Sequence, residues 1–328
     1  MPETLRPATP LEASIRVSEA QPLASSYAEC RRVARAAASN FYYAFFLLPR
    51  PKHDALCSLY AFMRLVDDVA DTAGVITEKQ RILTEWHMAL DAALAGNTRA
   101  HPVLPALRDT VTRFAIPPRC LHDLIAGAEM DLTVRSYATF ALLREYCCRV
   151  AGTVGLSCLY VFEFQDPRAP DLAEKLGVAF QLTNILRDLL RDFHMGRVYL
   201  PLEDWERFGC RPEEAGRGSR TRALVEMLAF QADRAWRFYE EGAALLPLVS
   251  QESRAALWAL ARIYSGLLRK IETRGYDVFS SRVRLSAGEK AAILLRARLG
   301  WWSEKNALEE RDRDRRRAGG TLLGRRAG

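Results

Sequence analysis

Long helical patterns, separated by helix-breaking residues, constrain the fold of this chain more than any other feature of its sequence. Apolar residues recur at helical spacing through residues 23–302, whereas alternating strand patterns are scarce and the hairpin dipeptides Asn-Gly and Asp-Gly are absent. The breakers lie at Pro49 and Pro51, at Gly96 and Asn97, at Pro117 and Pro118, and within residues 166–170 and 216–218. This pattern predicts an all-α fold, a bundle of ordinary to long helices.

The two ends of the chain lack this helical pattern. Residues 1–22 show no clear period, and we expect a flexible N-terminal tail there. Residues 303–328 are strongly charged and rich in arginine, which predicts a basic, disordered C-terminal tail. The single predicted domain therefore covers residues 23–302.

Composition narrows the range of functions only partly. The formal net charge of +7 suits anionic partners in general, namely nucleic acid, anionic lipid headgroups and diphosphates. Nucleic-acid binding is the weakest of these, because the basic run lies in a tail without interleaved aromatic residues. The seven cysteines have no zinc or redox spacing, and there is no signal-peptide core and no apolar run of about 20 residues. These features predict a reduced, cytoplasmic protein.

The first of two acidic motifs lies on a predicted helix that begins after Pro51. Asp67 and Asp71 are four residues apart, so they share one face of that helix. Tyr60 and Arg64 lie on the same stripe, about two turns and one turn earlier. The helix therefore presents a polar stripe on an otherwise apolar surface.

The second acidic motif has the same spacing on a later helix. Asp188 and Asp192 are again four residues apart. Gln181 and Asn184 extend the polar stripe towards the beginning of a helix that is otherwise apolar. The chain thus carries the same acidic arrangement twice.

Two such motifs favour a bound cation. Like charges four residues apart destabilise a helix by about a few tenths of a kcal/mol, and a cation would remove that penalty. Carboxylates select hard cations such as Mg²⁺, which takes one or two carboxylates together with substrate phosphates and water. Two facing helices of this kind could hold a diphosphate through magnesium. The alternative is that each motif is a solvated face, with Arg64, Arg187 and Arg191 as ion-pair partners.

Several segments of the sequence resemble those of a known family and occur in the same order along the chain. It resembles the squalene/phytoene synthase family of trans-prenyltransferases over residues 39–294, and looks most like the bacterial presqualene diphosphate and squalene synthases. The matching segments are residues 40–49, 59–71, 127–132, 146–155, 181–201 and 274–279. One departure is the Ala37-Ala38 pair, where many members have His-Ser, so a polar contact to one diphosphate is missing or replaced.

The resemblance implies a fold and a set of site residues. It implies an isoprenoid-synthase helical bundle with a central cavity, Mg²⁺ or Mn²⁺ as cofactor, and proton transfer by Tyr146. The implied metal ligands are Asp67, Asp71, Asp188, Asp192 and Asn184. The implied contacts to the substrates are Tyr60, Arg64, Gln181, Asn184, Arg187 and Arg197. For Tyr146, the alternative is a core tyrosine that bonds a backbone carbonyl.

A carbocation mechanism also needs a dry, apolar cavity, in which aromatic faces can stabilise positive charge. The residues predicted to line it, with Phe41 foremost as a substrate contact, are Phe41, Phe45, Val150, Val154, Leu156 and Phe180. For each of these residues, the alternative is an ordinary position in the core.

The implied reaction is the head-to-head condensation of two prenyl diphosphates. We expect two farnesyl diphosphates to give presqualene diphosphate, which hydride from NADPH could convert to squalene. One alternative is a phytoene synthase that joins two geranylgeranyl diphosphates. The pathway would be hopanoid or carotenoid biosynthesis. Another is a non-catalytic subunit that binds prenyl lipids, although the chain keeps all four motif aspartates.

The product of such a reaction would partition into a membrane. Trp301, Trp302 and the basic tail suit peripheral contact with the anionic inner face of a bilayer. The alternative is a helix end packed on the domain, followed by a solvated tail. The sequence carries no signal for the oligomeric state.

Overall fold

The computed structural model describes residues 22–37 and 40–300. The described part of the chain is 76% helical and has no strands, which confirms the all-α prediction. The helices are α1 (Leu23–Ala37), α2 (Asn40–Phe45), α3 (Arg50–Asp71), α4 (Ile76–Leu94), α5 (Leu104–Arg113), α6 (Pro118–Thr133), α7 (Phe140–Cys147), α8 (Thr153–Phe162), α9 (Ala169–His194), α10 (Leu202–Arg207), α11 (Pro212–Gly216), α12 (Arg222–Gly242), α13 (Gln251–Thr273) and α14 (Ala287–Arg298). A π-helical turn at Cys148–Gly152 joins α7 to α8, and a 3₁₀ helix at Ala243–Leu248 precedes α13.

The breaker residues lie at the ends of these helices. Pro49 precedes α3 and Pro51 occupies its first turn, where a missing N–H group costs nothing. Pro117 precedes α6 in the same way. Gly96 follows α4 with a φ of 110°, a left-handed conformation that glycine adopts without strain. The loops at these breakers therefore fall where the sequence predicted them.

Two long helices, α3 and α9, form the centre of the bundle. Helix α9 packs against α8, α12 and α13, and α3 packs against α1, α5 and α6. Trp86 and Trp236 are fully buried in the surrounding core. Burial of each large apolar side chain contributes about 1.5–3 kcal/mol, so this core can hold the two central helices in a fixed relation.

Several predictions concern residues that the structure does not describe. The predicted tails, except Pro22, together with Ala38, Ser39, Trp301 and Trp302, lie outside the described residues. The division into two tails and one domain therefore stays a prediction. Among the described residues, no helix is both long enough and apolar enough to cross a bilayer.

Candidate active site

A cavity of about 700 Å³ lies between α3, α8, α9 and α13, and residues 282–290 close one side of it. The structure brings all twelve site residues proposed from the sequence to the wall of this one cavity. Their chemical roles stay predictions. Both acidic motifs face the cavity, so neither of them is simply an outward-facing solvated surface.

The cavity-facing side of α3 changes from apolar to polar along the helix. Tyr60 and Met63 line the cavity first, and Arg64, Asp67 and Asp71 follow in the later turns. Tyr60, Arg64, Asp67 and Asp71 follow one another at three or four positions, so they share one helical face. Helix α3 therefore brings its acidic residues to the cavity only in its last two turns.

Helix α9 shows the same change along its own cavity face. The lining residues run from Ala173, Leu176, Gly177 and Phe180 to Gln181, Asn184, Arg187, Asp188, Arg191 and Asp192. The polar ends of the two helices meet through Asp71. Its carboxylate accepts hydrogen bonds of 3.1 Å from Arg191 on α9 and of 3.1 Å from Arg197 just beyond it. One end of the cavity is therefore polar and the remainder apolar.

Asp188 is held by two arginines in the described structure. Arg187 pairs with it from the preceding position, and Arg282 donates two hydrogen bonds to its carboxylate oxygens, 2.8 and 2.9 Å long. Burial favours the neutral form of Asp188, but these hydrogen bonds outweigh burial and lower its pKa to about 2. Asp188 is therefore ionised at neutral pH.

Asp67 and Asp192 are the less compensated carboxyl groups. The Asp67 side chain is accessible to solvent through the cavity that it lines, and protein atoms surround that part of the cavity on most sides. Loss of hydration, with the nearby charges of Asp71 and Asp131, raises the pKa of Asp67 to about 8. Burial and the charge of Asp188 raise the pKa of Asp192 to about 7. The site thus crowds carboxyl groups so closely that ionisation of Asp67 and Asp192 is disfavoured.

The oxygen atoms of this site suit a hard cation. Among residues 22–37 and 40–300, no three His, Cys, Asp or Glu side chains converge as ligands of one ion. A magnesium ion needs only one or two carboxylates when substrate phosphates and water complete its shell. The buried Oδ1 atom of Asn184 accepts no hydrogen bond from the described residues, so this oxygen could serve as a metal ligand beside the acidic stripe. Asp67, Asp192 and Asn184 therefore fit the proposed cofactor.

Tyr146 lies at the head of a chain of hydroxyl groups. It is buried, and its hydroxyl donates a 3.3 Å hydrogen bond to the hydroxyl of Tyr199. Tyr199 in turn donates a 2.8 Å hydrogen bond to Oδ1 of Asp131. All three side chains line the cavity. The alternative, in which Tyr146 bonds a backbone carbonyl, does not describe this contact.

Aromatic rings form part of the apolar wall. Phe180 stacks on Tyr264 with ring centroids 4.5 Å apart, and Phe41 packs edge-on against both rings. Val150 and Val154 also line this cavity. Phe45, the last residue of α2, is buried and lines a small apolar pocket that shares Tyr60, Phe41 and Val154 with the cavity. Leu156, also predicted to line the cavity, packs against the core instead.

Several residues of the cavity wall were not predicted as site residues. Asp131 and Tyr199 lie within segments that carry the family resemblance, but their pairing depends on the fold. Tyr264, Arg282 and Lys290 come from α13, the following loop and α14, and no local pattern distinguishes them. The Lys290 ammonium lies 4.5 Å from the centre of the Tyr43 ring.

Comparisons with known proteins agree with this arrangement. A family model described as squalene/phytoene synthase matches residues 34–289. The 15-cis-phytoene synthase of Synechocystis is 34% identical over 88% of this chain and 90% of that protein. The phytoene synthase of Mycobacterium tuberculosis is 37% identical over 82% of this chain and 89% of that protein.

Two solved structures share the fold. A dehydrosqualene synthase superposes with a TM-score of 0.79 at 31% identity, covering 85% of this chain and 97% of that one. The squalene synthase HpnC from Alicyclobacillus acidocaldarius superposes with a TM-score of 0.72 at 29% identity, covering 78% of this chain and 96% of that one.

Proposed function

Because the chain belongs to the squalene/phytoene synthase family, we propose that it joins two prenyl diphosphates head to head in this cavity. The observation that carries the proposal is the meeting of the polar ends of α3 and α9, bridged through Asp71, at one end of an apolar cavity. Such a cavity suits a substrate with an anionic head and a long apolar tail. Diphosphate is the leaving group.

We propose farnesyl diphosphate as the substrate and presqualene diphosphate as the first product. The solved structures of a dehydrosqualene synthase and a squalene synthase support this choice. The second candidate substrate is geranylgeranyl diphosphate, because the curated relatives compared above are phytoene synthases. The ring-closing chemistry is the same for both chain lengths.

The charged end of the cavity would bind the diphosphate groups. Arg197 is buried, and its Nε makes no hydrogen bond within the described residues, so it is available to a phosphate oxygen. Arg191 and Arg282 carry further charge on the cavity wall. Magnesium or manganese, held by Asp67, Asp71, Asp188, Asp192 and Asn184, would supply Lewis-acid stabilisation of the diphosphate charge. Charge-assisted hydrogen bonds from the arginines strengthen as diphosphate departs.

The apolar wall would protect the allylic cation that remains. Phe41, Phe180 and Tyr264 present aromatic rings to the cavity and keep water away from that region. Tyr146 lines the same cavity and would receive the proton lost as the cyclopropane ring closes. Use of NADPH for a later reduction to squalene is a separate part of the proposal.

Product analysis tests this function. The purified protein is incubated with farnesyl or geranylgeranyl diphosphate and Mg²⁺ or Mn²⁺, with and without NADPH, and products are identified by mass spectrometry. We expect presqualene diphosphate from the C15 substrate, and an Asp188→Asn variant to lose about 100-fold or more in rate. The matched control is Asp171→Asn, an exposed aspartate that pairs with Lys175 on the same helix.

Each other outcome has a definite meaning. Condensation of the C20 substrate alone would establish the phytoene synthase alternative. Release of no diphosphate from either substrate would overturn the proposed function and favour the non-catalytic lipid-binding subunit. Contact of Trp301, Trp302 and the basic tail with membranes is a further proposal, and liposome sedimentation that is unchanged on deleting the residues after Trp302 would remove the tail from it.

A further inference from the structure

We propose that Tyr199 and Asp131 act with Tyr146 as a proton relay, which moves the proton lost at ring closure onto the Asp131 carboxylate. This inference rests on the proposed function, because only a reaction that releases a proton inside the cavity needs such a relay. It does not depend on the length of the prenyl chain.

The relay is continuous in the structure. The Tyr146 hydroxyl donates to the Tyr199 hydroxyl across 3.3 Å, and the Tyr199 hydroxyl donates to Oδ1 of Asp131 across 2.8 Å. The two tyrosine rings stack with centroids 5.2 Å apart, which holds the side chains against each other. Both hydroxyl groups therefore donate in the direction of Asp131, with which the Tyr146 hydroxyl also interacts.

Three separate parts of the chain hold the relay in place. Asp131 lies near the end of α6, Tyr146 lies on α7, and Tyr199 lies in the loop after α9. Backbone hydrogen bonds fix that loop to the segment between α6 and α7: Val198 donates to Arg135, and Leu202 donates to Tyr137, at 2.8 and 2.9 Å. The position of Tyr199 is therefore fixed by the backbone on both sides of its side chain.

A lone Tyr146 would be a poor acceptor for the proton. Burial, and then the charge of Asp131, raise the pKa of Tyr146 well above its ordinary value, so a phenolate there is strongly disfavoured. A phenol oxygen can accept a new proton without charge building up if it gives away its own hydroxyl proton at the same time. The hydrogen bond to Tyr199 provides that exit.

The step balances in atoms and electrons. After the allylic carbon has joined the second substrate, a C–H bond at that carbon breaks and its electron pair closes the cyclopropane ring. The released proton binds the Tyr146 oxygen, the former Tyr146 proton moves to Tyr199, and the Tyr199 proton moves to Asp131. The carbocation is neutralised and the carboxylate becomes a carboxylic acid. No oxidant or reductant takes part.

Tyr137 provides a matched control. Its ring lies beside the relay, 5.4 Å from the Tyr146 ring and 6.1 Å from the Tyr199 ring. Its buried hydroxyl makes no hydrogen bond to any described residue. A Tyr137→Phe variant therefore removes a neighbouring hydroxyl group but leaves the chain of hydrogen bonds intact.

The test compares Asp131→Asn and Tyr199→Phe with Tyr137→Phe and the wild-type enzyme. Each protein is assayed with substrate carrying hydrogen or deuterium at C1, the position of the C–H bond that breaks. We expect Asp131→Asn and Tyr199→Phe to lower kcat by about 100-fold, with KM little changed and a primary deuterium isotope effect larger than that of the wild-type enzyme. Asp131→Glu should restore part of the rate.

Other results overturn the relay. A wild-type rate and isotope effect in Asp131→Asn, or the same loss in Tyr137→Phe, would do so. A lower melting temperature and higher KM without an enlarged isotope effect would assign a purely structural role instead, and thermal unfolding of each variant measures this directly. If the wild-type enzyme forms no condensation product, it is the proposed function that fails.

Discussion

At the residue scale, Asp67 shows how the fold places a carboxyl group where its ionised form is disfavoured. The group faces the cavity, where the charges of Asp71 and Asp131 raise its pKa and the charge of Arg64 lowers it. Arg64 itself pairs with Asp68, the residue that follows Asp67. The protein's own cations thus leave Asp67 with little compensation, which the proposed metal ion would supply.

This arrangement predicts a pH-dependent cost in stability. Asp67 has a pKa of about 8 in the folded protein, above the value of about 4 expected when unfolded. The folded state therefore binds this proton more tightly, so the stability it contributes is present below about pH 4 and is lost as pH rises towards about 8. We expect Asp67→Asn to be more stable than the wild-type protein at pH 8 without metal. The gain is on the order of 1 kcal/mol, because cavity water screens the carboxyl.

Urea unfolding with a chelator, at several pH values from 4.5 to 9, measures this difference. The gain should shrink towards the acidic end, as the pH approaches the value of about 4 below which Asp67 is protonated in both states. A variant less stable than the wild-type protein at pH 8 would show that Asp67 is already compensated.

At the scale of elements, the cavity wall depends on very close packing of the π-helical turn and α8 against α9. A Cβ atom added at Gly177 would lie 2.4 Å from the carbonyl oxygen of Ala151, and one added at Gly155 would lie 2.7 Å from that of Ala173. These contacts are to backbone atoms, which cannot move aside as side chains do. The backbone of the π-helical turn can approach α9 this closely only because α9 has glycine at position 177.

Two glycine substitutions test this packing. We expect Gly177→Ala to destabilise the protein by about 1–3 kcal/mol through overpacking. The matched control is Gly266→Ala on α13, where the new Cβ would meet only the Leu285 side chain at 3.6 Å. Alanine is the better helix former, so this variant should gain about 0.5–1 kcal/mol. Thermal unfolding of both proteins is the measurement, and equal effects in the two variants would contradict the packing argument.

At the scale of the whole molecule, the polar end of the cavity is assembled from distant parts of the chain. Arg282 reaches Asp188 from the loop after α13, and Arg197 reaches Asp71 from the loop after α9. A ligand that binds here would tie these segments together and stabilise the folded state. The molecule should therefore respond as a unit to occupation of this site.

Inorganic diphosphate and Mg²⁺ should raise the melting temperature together by more than either does alone. A ligand at 100 times its Kd contributes about 2.7 kcal/mol of stability. We expect this joint effect in the wild-type protein and its loss in Asp192→Asn, with differential scanning calorimetry as the measurement. An equal rise with diphosphate alone would show that the arginines bind it without a metal.

The sequence by itself determined the features that are local. Helix period and breaker residues predicted the all-α fold and the helix ends, and four-residue spacing placed Asp67 with Asp71 and Asp188 with Asp192 on single faces. This works because neighbours on a helix are fixed by their separation along the chain. The family resemblance added the remaining site residues, including Tyr146.

Only the tertiary structure decided which groups meet across the cavity. The pairing of Asp188 with Arg282, the chain from Tyr146 through Tyr199 to Asp131, and the place of Tyr264 in the wall join segments far apart in sequence. Leu156 was wrong as a lining residue for the same reason, since an apolar side chain fits the core and a cavity wall equally well. Such contacts depend on how whole helices pack, and the packing leaves no period in the sequence.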